Sequence, residues 1–355
     1  MTARAHLLAL YRRQGCDHAP VQFNLCPALE AEFRRRYGVH ADYAEHFGFP
    51  LRGVWAGADT RPAFDWWALH PTTLKDGTTF NEWGVAFEPG SDAAMHMHRF
   101  VHPLRDTATV TELQAWPWPT FDAIDHVQLK AQVDAHHRRG LAVIGGLACT
   151  IWETAWYVRS MESLMADMSE DDPKAHWLLD RVTHTAVQRA EAYARAGCDL
   201  IELGDDVGTQ SRLMMSRPMY RRWLMPRLTT VIRAAKAIKP DLLIQYHSCG
   251  YVRELIPDLI EAGIDILNPV QPESMDFAEL HARFGDRLSF NGTVGTQTTM
   301  PFGSPDDVRR VVRENLARAG QKGGLLCCPT HLVEPEVPWE NLEAYVEACR
   351  EFVPA

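Results

Sequence analysis

A parallel (β/α)8 barrel is the fold class this sequence predicts, and three observations predict it. From about residue 140 onward, short apolar runs alternate with amphipathic helical stretches, the rhythm of parallel strands joined by helical crossovers. The length of 355 residues suits one large α/β barrel domain spanning 1–355. Polar residues follow nearly every apolar run, and in such a barrel the functional groups gather at the carboxyl ends of the strands.

The elements follow in order. Pro20-Val21-Gln22-Phe23-Asn24 and Leu51-Arg52-Gly53-Val54-Trp55 read as early strands. Leu141 to Gly146 reads as the next, followed by a long helical stretch through Met168. A helix from His184 to Ala196 leads through Gly197 into the run Asp199 to Gly204. Leu242 to Tyr246, Ile264 to Leu267, Leu288 to Phe290 and Gly324 to Cys328 complete the strands, with helices at Val252 to Glu261 and Pro305 to Arg318 between them. That makes about eight strands, the number a closed barrel needs. Residues 56–140 break the rhythm with Trp66-Trp67, Trp83, His96-Met97-His98 and Trp116-Pro117-Trp118-Pro119. This irregular Trp/Pro/His-rich insertion is expected to hold short strands and to lie over one barrel end, as a lid or as packed structure. His96 and His98 alternate as on a strand and read as structural or lid residues. Arg221-Arg222 reads as a solvated helix face.

Composition narrows the function. The chain is 46% hydrophobic and 23% charged, ordinary for a globular protein. A formal charge of −10 argues against a nucleic-acid footprint. No apolar stretch is long enough to span a membrane and the first residues lack a signal peptide, so the cytoplasm is expected. Eight cysteines in a chain this size do not form the pattern of a disulfide scaffold.

The most informative motif is His247-Ser248-Cys249-Gly250, directly after an apolar run. Side chains two apart on a strand share a face, so an imidazole and a thiol converge, a donor pair suited to Zn²⁺. A third ligand is expected from the closing strand, at His331 or Cys328. Of the adjacent pair Asp205-Asp206, one carboxylate can enter the barrel mouth while the other caps the next helix. Gln22, Asn24, Gln271 and Asn291 lie at other strand ends as substrate contacts, and Trp152 reads as core or pocket wall facing the substrate.

Glu202-Leu203-Gly204-Asp205-Asp206, His247-Ser248-Cys249-Gly250, Ile256 to Ile260, Asp265 to Gln271 and Pro338-Trp339-Glu340-Asn341 together resemble the uroporphyrinogen decarboxylase superfamily. It includes decarboxylases and zinc methyltransferases that serve corrinoid proteins, with cobalamin-independent methionine synthase more distant. The resemblance covers residue 140 to the C-terminus well and the first 140 residues loosely. His247-x-Cys249 is similar to the methyltransferase branch, which implies one zinc per chain, a small methylated substrate, and a corrinoid protein or thiol as partner. It also admits a homodimer. The decarboxylases' N-terminal Arg-rich motif is matched here by Pro20 to Leu25, which has no Arg. In the slot where the methyltransferases carry a distant Cys, two after Pro329, this chain has His331, with Cys327 and Cys328 earlier. The alternatives are a metal-independent, decarboxylase-like lyase and a non-catalytic barrel that binds a small ligand or a corrinoid partner.

Overall fold

The computed structural model describes residues 1–58, 64–70, 72–90 and 98–353. Ten strands occur among them: β1 (Leu51–Val54), β2 (Thr79–Phe80), β3 (Ala86–Glu88), β4 (Arg99–Val101), β5 (Ala142–Ala148), β6 (Leu200–Gly204), β7 (Leu243–His247), β8 (Ile266–Asn268), β9 (Ser289–Asn291) and β10 (Leu325–Leu326). Seven of them form one parallel sheet in the order β1-β5-β6-β7-β8-β9-β10. Helices follow the strands, as parallel connections require. The sheet curls, because one cavity is lined in common by residues 22–24 and by residues at β1, β5, β6, β7, β8, β9 and just past β10.

The expected first strand at Pro20 to Asn24 is not a strand. The segment makes a single parallel bridge, Leu25 to Val333, closed by Cys26 N–H to Val333 O at 3.0 Å and Val333 N–H to Asn24 O at 2.8 Å. Further back, the phenol of Tyr345 on helix Trp339–Glu351 replaces the ladder neighbour. It donates to Gln22 O at 3.1 Å and accepts from Gln22 N–H at 3.3 Å. Pro20 and Pro329 also lack the N–H a ladder would use.

Two apolar cores sit on opposite faces of the sheet. The larger lies between strands and helices. The smaller fills the amino-terminal end inside the curl: Leu51, Ala142, Leu200, Leu243, Ile266 and Leu326 meet Leu7, Leu10 and Tyr11 of helix Ala3–Tyr11. That helix stoppers the curl from below, with Leu7 and Leu10 fully buried.

Local chemistry explains the helix bounds. Helix Pro173–Ala196 starts where the Asp172 side chain accepts from Lys174 N–H and Pro173 sets the first turn, and it ends at Gly197 with φ 91°. The single stretch expected through Met168 is two helices, Trp152–Arg159 and Met161–Ser169. Ser160 breaks it at φ 73° while its hydroxyl accepts from Ser163 N–H. The break lets buried Arg159 pair with Asp167 and donate to the carbonyls of Leu104, Arg105 and Thr107, which ties residues 104–107 to the sheet's helical layer.

Within 56–140, β2, β3 and β4 form a separate antiparallel sheet. Helices Trp66–Leu69, Val110–Ala115 and His126–Arg138 accompany it, so the segment holds more helix than its patterning suggests. His96 lies outside the described residues; His98 packs edge-on against Phe87. Arg221 is not a merely solvated residue. With Arg217 it clamps the fully buried carboxylate of Asp258, Arg217 bonding at 2.6 and 3.0 Å. Arg222 pairs with Asp171. No described helix is long and apolar enough to cross a membrane, and all eight cysteines are free thiols.

Candidate active site

At the carboxyl end of β7, period-two alternation sends His247 and Cys249 to the same side, with His247 Nε2 3.5 Å from Cys249 Sγ. Ser248 between them faces the other way, fully buried, and its hydroxyl accepts from Val207 N–H at 3.1 Å. Gly250 then turns the chain at φ +76°, where a Cβ would lie 2.4 Å from Thr209 O. Glycine is therefore required for the two loops, 205–209 and 248–251, to touch. Gln271 secures the turn by accepting from Gly250 N–H.

The pairing of Gly204 with His247 brings the end of β6 level with the end of β7. Asp206 follows, 3.8 Å from His247 Nε2, and accepts from Cys249 N–H at 2.7 Å. Asp206, His247 and Cys249 are the one group of three such donor atoms among the described residues, all within 4.8 Å of one another. Tetrahedral zinc with bonds of about 2.0–2.3 Å sets its donors roughly 3.3–3.6 Å apart. The His247–Cys249 separation of 3.5 Å falls in that range and the His247–Asp206 separation of 3.8 Å lies just beyond it, and the donor set of carboxylate, imidazole and thiolate suits the ion.

His247 is held from behind. Its Nδ1 lies 2.7 Å from Asn268 Oδ1, while Asn268 Nδ2 donates to Asn291 O at 3.1 Å. The second bond orients the amide so that its oxygen faces the ring and accepts from Nδ1, which turns Nε2 toward Asp206 and Cys249. Burial lowers the proton affinity of His247, but the hydrogen bond to Cys249 and the charges of Cys249 and Asp206 outweigh it and raise the pKa to about 10.

The remaining expected residues fall in different places. Asp205 is buried and points away from the donor group. Its carboxylate accepts from Ile151 and Glu153 N–H at 2.9–3.1 Å and so caps helix Trp152–Arg159, which precedes β6 rather than following it. Burial and the Glu153 carboxylate push Asp205 up to about 8, against the lowering by backbone donors. Glu153 in turn accepts from Asp206 N–H at 3.1 Å. Trp152 is fully buried in the core and lines no part of the cavity. Gln22, Asn24, Asn291, Cys328 and His331 all line it. Cys328 is a buried thiol, pushed up by burial, that donates to Asn291 Oδ1 at 2.9 Å. Neither it nor His331 belongs to the three-donor group.

The cavity of about 410 Å³ also contains Trp55 and Gln245, which motif reading passed over, and Glu202 and Asn268, which lie in the quoted motifs without a site role assigned to them. Gln245 Nε2 donates to Glu202 Oε1 at 3.1 Å, and Asn291 Nδ2 donates to Gln245 Oε1 at 2.8 Å. Period two carries the signal for two of them: Glu202 stands two before Gly204 and Gln245 two before His247, inside otherwise apolar runs.

Comparison with known proteins places this geometry in a family. The family model for uroporphyrinogen decarboxylase (URO-D) matches residues 90–352. A methylated-thiol–coenzyme M methyltransferase of Methanosarcina mazei is 27% identical over 213 residues, 60% of this chain and 54% of that protein. The methylcobamide:CoM methyltransferase MtaA of Methanosarcina barkeri is 27% identical over 49% of this chain and 48% of its own length. A uroporphyrinogen decarboxylase of Chlorobium phaeovibrioides is 26% identical over 51% of this chain and 50% of its own length. The chain thus spans about half the length of these relatives. A solved methyltransferase from Methanosarcina mazei shares the fold, with a TM-score of 0.68 at 20% identity over 99% of both chains. The chain belongs to the uroporphyrinogen decarboxylase family.

Proposed function

We propose that this chain is a zinc-dependent methyltransferase on a (β/α)8 barrel, with residues 20–25 as the eighth stave, that moves a methyl group between a small methylated compound and a thiol or a corrinoid protein. The observation that carries the reading is the Asp206–His247–Cys249 donor group beside a cavity at the carboxyl ends of the strands. His247 and Cys249 would hold the metal, with Asp206 as the third donor in place of Cys328 or His331. When bound, zinc supplies a Lewis acid that lowers the proton affinity of a thiol or polarises a substrate heteroatom.

The chain's own groups do the positioning. Asn268 fixes the His247 tautomer, Gln271 and Gly250 fix the Cys249 turn, and Glu153 fixes the Asp206 backbone. Gln22, Asn24 and Asn291 face the substrate. The antiparallel sheet β2-β3-β4 packs on the helix that supports this end: Phe100 of β4 lies on Tyr157, whose hydroxyl donates to Glu153 at 3.0 Å. Two of the matched relatives are named methyltransferases, which supports the same reaction class. A decarboxylase acting on a polycarboxylate finds less support, because no Arg or Lys is among the described residues lining the cavity.

The test is metal analysis of protein purified without added metal or chelator, followed by methyl transfer to a thiol in the presence of a corrinoid. About one zinc per chain is expected. Absence of zinc even after it is offered, with activity that survives chelation, would replace this reading with a metal-independent lyase.

A further inference from the structure

Glu202 takes no part in the donor group, yet its side chain enters the cavity from the middle of β6. Gln245 Nε2 gives it one hydrogen bond, no ion pair joins it to a Lys, Arg or His among the described residues, and the His247 ring feels its charge from further off. The described lining supplies no Arg or Lys elsewhere. A divalent ion held by one thiolate and one carboxylate sums to zero, so loading the donor group leaves the Glu202 charge uncompensated. Cys328, pushed up by burial, adds none.

Beside this carboxylate stands an aromatic face. Trp55 follows β1 and is 68% exposed although it lines the cavity. Two glycines make room for its indole: a Cβ on Gly53 would lie 2.8 Å from Cζ3, and one on Gly146 2.7 Å from Cε2. The ring therefore lies flat against the inner wall of β1 and β5. Gly146 is the register partner of Glu202, and neighbouring strands lie about 4.8 Å apart. Indole and carboxylate are thus adjacent on one wall of the same cavity.

We infer that this wall binds a small methylated onium ion, a tertiary or quaternary ammonium or a sulfonium, with its charged head against Trp55 and Glu202. An aromatic face and an unpaired carboxylate attract such a cation, whereas a carboxylate or sulfonate ligand would meet repulsion. The inference rests on the methyltransferase reading and names its methyl donor. The acceptor thiolate forms a bond to the methyl carbon while the carbon–nitrogen or carbon–sulfur bond breaks, and both electrons of that bond stay with the heteroatom. The leaving amine or thioether is neutral, needs no proton, and loses its attraction to Glu202.

The experiment is calorimetric titration of the zinc-loaded full chain with choline, with its neutral carbon isostere 3,3-dimethylbutan-1-ol and with propanesulfonate. Choline is expected to bind about tenfold more tightly than the isostere, with the sulfonate weakest. Glu202→Gln, which keeps a side chain able to accept from Gln245, and Trp55→Leu should each remove most of that preference without changing zinc content. Choline binding absent or within twofold of the isostere, or a preference unchanged in both variants, would overturn the onium assignment. Titrating metal-free protein in parallel separates the two readings: a choline preference without zinc retention breaks the metal reading alone, and zinc retention without the preference breaks the onium reading alone.

Discussion

The two ends of the parallel strands are built on opposite rules. At the amino end, four leucines, Ile266 and Ala142, one from each of six strands, close on helix Ala3–Tyr11 in a dry plug. Toward the carboxyl end, β6, β7, β8 and β9 present Glu202, Gln245, His247, Asn268 and Asn291, joined by hydrogen bonds and facing a cavity. One end spends its side chains on stability and the other on chemistry, so substitutions at the two ends should separate into different measurements.

The sharpest separation is expected from Cys249→Ala. On the proposed zinc reading, retention should fall by more than about 100-fold, since the variant lacks the Cys249 thiolate and its charge, while the melting temperature of metal-free protein stays within a few degrees. Metal analysis and calorimetry read both; full zinc stoichiometry in the variant would erase the contrast. The mirror image is Leu10→Ala in the plug. Removal of a fully buried leucine costs about 2–5 kcal/mol, read by urea unfolding, with zinc stoichiometry unchanged.

A finer division lies within the carboxyl end, between the β6–β7 wall and the closing segment. Asp206→Ala should weaken zinc by about 10–100-fold in chelator competition, and Cys328→Ala by much less. The reverse order would move the third ligand to the closing segment. The smallest effect belongs to the amino-end rim, where Arg139 and Arg52 hold the Glu45 carboxylate down to about 2. A lowered acid pKa contributes stability above the unfolded value and loses it as pH falls toward 2. Glu45 is half exposed, so solvent screening limits this to under about 1 kcal/mol. The melting temperatures of Glu45→Gln and the parent should differ slightly at pH 7 and converge near pH 2; a gap that widens in acid would contradict this sign.

The strand-and-helix rhythm was legible because parallel strands buried on both faces leave continuous apolar runs. His247 and Cys249 were legible for the same local reason, a fixed period of two. The partner donor was not. Whether Asp205 or Asp206 meets them depends on the register of Gly204 with His247 and on where helix Trp152–Arg159 begins, both set by distant parts of the chain. Cys328 and His331 were attractive by residue type and by their place on the closing segment, and the Asn291 amide that occupies the Cys328 thiol lies 37 positions away. Trp55 was hidden because the space for its indole comes from glycines on two strands. Segment 20–24 looked like a strand by composition, but a tyrosine from the last helix holds its backbone.

The Asp258 clamp bears on how anything reaches the site. Arg217 and Arg221 lie on helix Arg217–Trp223, downstream of the loop that carries Asp206, and Asp258 lies on helix Ile256–Ala262, downstream of the loop that carries Cys249. Separating these helices would strand a fully buried carboxylate without its cations, at a cost of several kcal/mol. The two loops are therefore tied at the mouth and again on the outer surface, and they are expected to move as one half-rim. Ligand entry is then expected on the opposite side of the cavity, which Asn24, Trp55 and residues 329–332 line.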